Sequence, residues 1–389
     1  MASSDFHKIF NRTQTASVKW EMTKKIFGTD DLLPMWVADM DFQPPQEVMN
    51  AIQHRAEHGI YGYTFIPPST GDAIHNWMAL RHNWKIDTPW IEYSSGVVPA
   101  ISTVIQALTN PGEQVMLQSP VYTPFFDMIE RNGRIMVNTP LETQDHRFQI
   151  NFDLFEQNLK QGVKLFLLCN PHNPGGRVWT KEELLQIGKL CLKYNCKILS
   201  DEIHSDLVFK PAIHIPIASL SPELEQNVIT CVAPSKTFNI AGLQASAMII
   251  PNPKWRAYIK KFQHRQGFFS LNLFGITAME AAYRYGEKWL EELLSYLSEN
   301  VSIAKRYIEK NVPAISVMEP EGTYLLWLDC RNLGFSDNEI KERLLKRGKL
   351  ALEPGAKYGQ GGEGFVRMNL ACPQEILLDG LKRLQKSFE

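Results

Sequence analysis

Between positions 112 and 250 short apolar runs alternate with helix-patterned stretches. The clearest runs are 114–117, 163–169, 196–200, 228–233 and 245–250, rich in Val, Ile, Leu, Met and Cys. Runs of this length alternating with helical patterns predict a parallel sheet with crossover helices. Between two of them, Thr180 and Glu183 form a capping box that opens a helix carrying Leu184, Ile187, Leu190 and Cys191 toward the sheet.

After Asn272 the pattern turns strongly helical. Leu290, Leu293, Leu294, Leu297 and Val301 recur at helical spacing through to about Lys310, in a helix long enough to bridge two lobes. Beyond it follow a strand-like run at 322–328, a helix capped by Ser336 with Glu339, a strand-like run at 365–370 and a final helix from about Pro373. The expected division is an N-terminal segment, 1–45, packing with the small domain; a large α/β domain, 46–288; and a small α+β domain, 289–389. No solenoid repeat or low-complexity linker interrupts the chain, so the lobes are expected to pack as one unit.

Composition narrows the partners. The 389 residues hold 41 Lys plus Arg against 42 Asp plus Glu, so no long-range field gathers nucleic acid or an anionic membrane. The first fifteen residues lack the apolar stretch of a secretory signal, and no later run approaches a membrane span. The six cysteines form no CxxC pair and read as reduced core residues of a cytoplasmic protein. The ten histidines include no HExxH, so no metal site is expected.

Chemistry concentrates where strands end. Lys236 follows the run at 228–233, in a loop of small and polar residues, and open α/β sheets bind ligands beyond the carboxyl ends of their strands. A lone lysine in a loop is ordinarily a solvated charge. Asp201, closing the run at 196–200, places a carboxylate at the same sheet edge. An amine and a buried carboxylate together suit pyridoxal 5′-phosphate (PLP), which the lysine carries as a Schiff base while the carboxylate keeps the pyridine nitrogen protonated. The 163–169 run ends in Asn170-Pro171-His172-Asn173-Pro174-Gly175-Gly176, a rigid turn from which Asn173, favoured over Asn170, can donate to the cofactor's phenolate oxygen. The turn at Ser94-Ser95-Gly96-Val97-Val98 precedes an apolar helical stretch, so its backbone amides suit a phosphate. Tyr122 offers an aromatic face to the ring.

These pieces stand in the chain order of fold-type I PLP enzymes. The chain resembles the MalY/PatB-type cystathionine β-lyases, a branch of the aspartate aminotransferase superfamily. The resemblance runs from Leu33-Pro34-Met35-Trp36-Val37-Ala38-Asp39-Met40-Asp41-Phe42 through Tyr61-Gly62-Tyr63-Thr64, Asn170 to Gly175, Asp201 to His204 and Pro234 to Leu243, to Arg367. It implies a seven-stranded, mainly parallel sheet flanked by helices, with a smaller α+β domain. It assigns the substrate α-carboxylate to Arg367, whose planar fork suits it. It implies a homodimer in which Tyr63 reaches the partner's phosphate, and a segment from Trp36 to Ala38 that closes over the substrate, with Val37 and Ala38 contacting it. Two positions depart from the aminotransferase pattern. His204 stands for a tyrosine near the cofactor, and Gln244 for a phosphate-binding arginine, which leaves the phosphate to Ser235, the Gly96 to Val98 amides and Tyr63.

The expected activity is α,β-elimination from a cystathionine- or cysteine-type thioether, giving a thiol, pyruvate and ammonia, with Lys236 as general base. The rival is an amino acid aminotransferase using the same lysine. A reading of another class is a regulatory interaction protein that has kept the fold. Retention of Lys236, Asp201, Asn173 and Arg367 together speaks for the enzyme.

Overall fold

The structure, a computed structural model, describes residues 5–389. Its central sheet has seven strands: β1 (Ile91–Ser94), β2 (Gln114–Leu117), β3 (Ile135–Asn138), β4 (Leu165–Cys169), β5 (Lys197–Asp201), β6 (Val228–Val232) and β7 (Ser246–Ile249). They lie in the order β1-β7-β6-β5-β4-β2-β3. β7 runs antiparallel to both its neighbours, and the remaining pairs are parallel. This is the α/β, fold-type I architecture expected from the sequence.

The apolar runs are continuous because both faces of the sheet are covered. Successive side chains point to opposite faces. Phe166 and Leu168 on β4 therefore join one buried cluster, while Leu165, Leu167 and Cys169 join another. Helix α1 (Val97–Leu108) covers the second face with Ile101, Val104 and Ile105. Helix α2 (Lys181–Lys193) covers the first with Leu184, Ile187 and Cys191. Its start is the capping box read from the sequence, the Thr180 hydroxyl accepting from the Glu183 N–H and the Glu183 carboxylate from the Thr180 N–H. Each fully buried aliphatic side chain contributes about 1.5–3 kcal/mol.

Later in the chain come α3 (Leu273–Tyr285) and the long α4 (Glu287–Asn311). A second, wholly antiparallel sheet follows, built from β8 (Ser316–Val317), β9 (Leu325–Asp329), β10 (Glu353–Pro354) and β11 (Phe365–Asn369) in the order β8-β9-β11-β10. Buried Asn300 on α4 donates to the carbonyls of Leu370 and Cys372, which fastens the helix to the end of β11. The N-terminal stretch joins this part of the chain through a short parallel pairing of Leu33–Pro34 with Leu350–Ala351. Arg367 lies in the second strand-rich layer, opposite Trp327 on one side and Glu353 on the other.

One local expectation changes. Lys236 lies on a single helical turn, Pro234–Thr237, and not in an irregular loop. Pro234 opens that turn, where its missing N–H costs nothing. Thr237 then ties it down by donating 2.8 Å to the buried carboxylate of Asp206.

Candidate active site

A cavity of about 230 Å³ opens at the carboxyl ends of β4, β5 and β6. Asp201, Asn173, Tyr122, His204, Ser235, Lys236, Ala38 and the Gly96-Val97-Val98 turn all line it. The sheet thus brings together residues spread from position 38 to position 245. At the mouth, Gly96 caps α1 without a side-chain hydrogen bond. The first amides of the helix therefore keep free N–H groups and the positive end of its dipole, an arrangement that suits a phosphate.

Burial sets the electrostatics. It pushes the Asp201 carboxyl up to about 7, against the pull of the Ile203 N–H and the Lys236 charge. Burial, together with Arg367, brings the Lys236 amine down to about 8, against the carboxylates of Asp39 and Asp201. Burial also holds His204 at about 3, helped by the Lys236 and Arg367 charges, so its imidazole is neutral. Burial raises Tyr122 to about 12, which keeps its phenol protonated. A cation placed against Asp201 would offset its burial and keep it charged.

Arg367 stands behind this wall. Its Nη1 donates 2.9 Å to Asn173 Oδ1 and its Nη2 donates 2.8 Å to the Trp36 carbonyl, while the Tyr358 ring stacks 5.3 Å from the guanidinium carbon. Its Nε is buried without a partner. A buried donor left over is costly unless a ligand takes it, and a carboxylate is the fitting acceptor. Because Asn173 gives its oxygen to Arg367, its NH₂ is the half left for an acceptor in the cavity. Asn170, the alternative, is fully buried, accepts from the Trp179 N–H and does not line the cavity.

The segment 36–40 crosses the site with each carbonyl held by a side chain. Asn369 Nδ2 donates to Val37 and Asp39, both at 2.6 Å, and Asn239 Nδ2 to Met40 at 2.9 Å. Lys236 Nζ donates to Ala38 O at 2.6 Å and Tyr324 Oη to the same oxygen at 3.0 Å. Buried Asp41, just beyond, accepts from Lys19, Arg12 and Trp20.

Tyr63 is the predicted residue that lies apart: its side chain is fully exposed and outside the cavity. Val37 takes part through its carbonyl. Sequence reasoning missed Cys169 and Ile203 on the cavity wall, together with Asn239, Asn369 and Tyr324. Asn239 sits at φ 55°, a conformation asparagine tolerates, but no short-range pattern marks the others.

The family description "Aminotransferase class I and II" matches residues 30–384. The chain is 48% identical over 385 residues to "Cystathionine beta-lyase PatB" of Bacillus subtilis, covering 99% of this chain and 100% of that one. It is 34% identical to "Protein MalY" of Escherichia coli, over 98% and 97% of the two chains. The crystal structure of cystalysin from Treponema denticola, which contains a pyridoxal 5′-phosphate cofactor, superposes with a TM-score of 0.96 at 34% identity over 100% of this chain and 99% of that one. Agreement of this extent in sequence and fold, over a site whose residues come from both ends of the chain, means that the chain belongs to the class I and II aminotransferases, in the branch of PatB and MalY.

Proposed function

We propose that the cavity binds pyridoxal 5′-phosphate and that the protein is a carbon–sulfur β-lyase, acting on cystathionine or cysteine-type thioethers. The observation that carries the cofactor is the Lys236 amine lining one cavity with Asp201 and Asn173, with the open amides of α1 in the same wall. The identity of nearly half the residues with a relative named as a cystathionine β-lyase favours elimination over amino-group transfer.

Bound PLP supplies an electron sink for the carbanion that forms when a substrate loses its α-proton. The chain supplies the rest. Lys236 would hold the cofactor, and its free amine would take the α-proton at Nζ. Asp201 keeps a proton on the pyridine nitrogen. The Asn173 NH₂ donates to the phenolic oxygen, while the Val97 and Val98 amides and the Ser235 hydroxyl hold the phosphate. Tyr122 and neutral His204, both on the cavity wall, would flank the ring. Arg367 grips the α-carboxylate through its fork, which aims the α-hydrogen at Lys236. Loss of the α-proton and of the β-thiolate leaves a three-carbon enamine, which water converts to pyruvate and ammonia while the thiolate departs as a thiol.

The same reading makes the protein a homodimer with shared sites. Ile60, Tyr61, Tyr63, Phe65 and Phe269 are all exposed, and Ser270 Oγ bonds the Thr64 carbonyl, so both stretches form one apolar surface. Exposed aromatic groups of this density mark an interface. From it Tyr63 reaches the partner's phosphate. The division into 1–45, 46–288 and 289–389 belongs to this proposal, with its second boundary two residues into α4. So does a cytoplasmic location, supported by six unpaired, buried cysteines. No helix among the described residues is long and apolar enough to cross a membrane.

The test is a product assay. Incubation with cystathionine should release pyruvate and a thiol in equal amounts, with no keto acid needed. Amino-group transfer to an added keto acid without pyruvate would make it an aminotransferase instead.

A further inference from the structure

The Ala38 carbonyl receives two donors from separate parts of the chain, one from the turn after β6 and one from the residue before β9. Lys236 Nζ lies 2.6 Å away across 198 residues of sequence, and Tyr324 Oη lies 3.0 Å away across 286. A carbonyl oxygen has two lone pairs, so both bonds can be made at once. We propose that Tyr324 is a positioning residue for Lys236, acting through the carbonyl of Ala38.

Tyr324 is well placed to do so. It is 1% exposed and immediately precedes β9, with its carbonyl accepting from the Leu370 N–H. Thr323, beside it, donates its N–H to the Leu207 carbonyl. The ring stands edge-on to His204 at 6.1 Å. The phenol is therefore fixed by backbone on both sides, and burial raises its pKa so that it stays a donor.

The need for a second donor follows from the chemistry of the first, and this step rests on the reading of Lys236 as the cofactor-bearing base. Val37, Asp39 and Met40 keep their side-chain donors throughout the reaction, since Asn369 and Asn239 take no part in it. Ala38 differs, because Lys236 must leave it to hold the cofactor. Without Tyr324 the oxygen would then lose its only side-chain partner and the segment would relax. With Tyr324 the oxygen stays aimed, and the freed amine returns to the same direction. A carbonyl takes no proton, so an amine donating one N–H to it keeps its lone pair for the α-proton.

The simpler reading is that Tyr324 is a core ring whose hydroxyl found an acceptor. Hydrogen exchange separates the two, read at the Asp39 and Met40 amides, which bond Val37 O and Asn239 Oδ1. Wild type, Tyr324→Phe, Lys236→Ala and the double variant are each measured as full-length protein, with and without PLP. In wild type, PLP should leave exchange at these amides unchanged. In Tyr324→Phe, PLP should raise it about fivefold, the value of one net hydrogen bond, because both donors are then gone. The double variant should show the raised rate without PLP. Loaded Tyr324→Phe should lose about fivefold in kcat with KM nearly constant, since the group orients the base and does not bind substrate. Exchange in Tyr324→Phe equal to wild type with PLP, and in the double variant equal to Lys236→Ala, overturns the proposal. So does a rise spread evenly over the whole second sheet. If Lys236 does not hold PLP, the cofactor changes nothing in any variant while the double variant still loosens, so the two failures are told apart.

Discussion

Asn173 accepts a 2.9 Å hydrogen bond from Arg367 Nη1, and this single contact joins the two halves of the site. It ties the turn after β4, where the cofactor's phenolic oxygen is expected, to β11, where the substrate carboxylate is expected. It also orients both groups, turning the Asn173 NH₂ toward the cavity and leaving the Arg367 Nε unspent.

Arg367→Lys keeps the charge and loses the fork, so kcat/KM should fall by on the order of a hundredfold, as for a lost bidentate charge-assisted pair. Asn173→Ala should lower both PLP affinity and kcat/KM. Because the residues act as a unit, the double variant should lose less than the product of the two single losses. Steady-state kinetics on the four proteins checks this, and strict multiplicativity would mean that the contact carries no coupling.

Much of this site was legible because its chemistry sits where strands end. Lys236, Asp201 and Asn173 each follow an apolar run, and a parallel sheet gathers such ends along one edge. The Thr180–Glu183 and Ser336–Glu339 boxes were equally legible, since a cap is made within four residues. β1 and β3 were missed because they are short edge strands, with half the residues of β1 and all four of β3, such as Ile135, only partly buried or exposed. The reversed direction of β7 is set by its partners and not by its own apolar pattern, which reads the same either way. Tyr324 was beyond reach for a similar reason: its meaning lies in an oxygen 286 residues away.

The raised Asp201 carboxyl predicts a pH-dependent stability of the PLP-free protein. Its unfolded value is 3.8 and its folded value about 7, so the folded state binds more protons between the two. The stability this group contributes is full below about 4 and is lost as pH rises through 7. Asp201→Asn removes the titration. Thermal melts from pH 4 to 8 should therefore show PLP-free wild type losing more stability than Asp201→Asn, while the loaded variant keeps its fold and loses kcat. Parallel curves for the two proteins would place Asp201 in a more solvated setting than the structure does.

The shared-site arrangement predicts complementation. With shared sites, Lys236→Ala and Tyr63→Ala should each be impaired alone, but a hybrid dimer would hold one site with an intact lysine from one chain and an intact tyrosine from the other. After the two are unfolded and refolded together, activity should rise above that of either parent. A mixture with confirmed hybrids and only the parental average would place Tyr63 within its own subunit's site.

If Lys236 holds the cofactor, chemical trapping will read which amine carries it. Wild-type protein loaded with PLP is treated with borohydride, which fixes the cofactor covalently on its amine, then digested and mapped by mass spectrometry. A phosphopyridoxyl mass should appear on Lys236 in stoichiometric yield, with the yellow colour lost on reduction and absent from Lys236→Ala. A modification on another lysine, or none after loading, would contradict it.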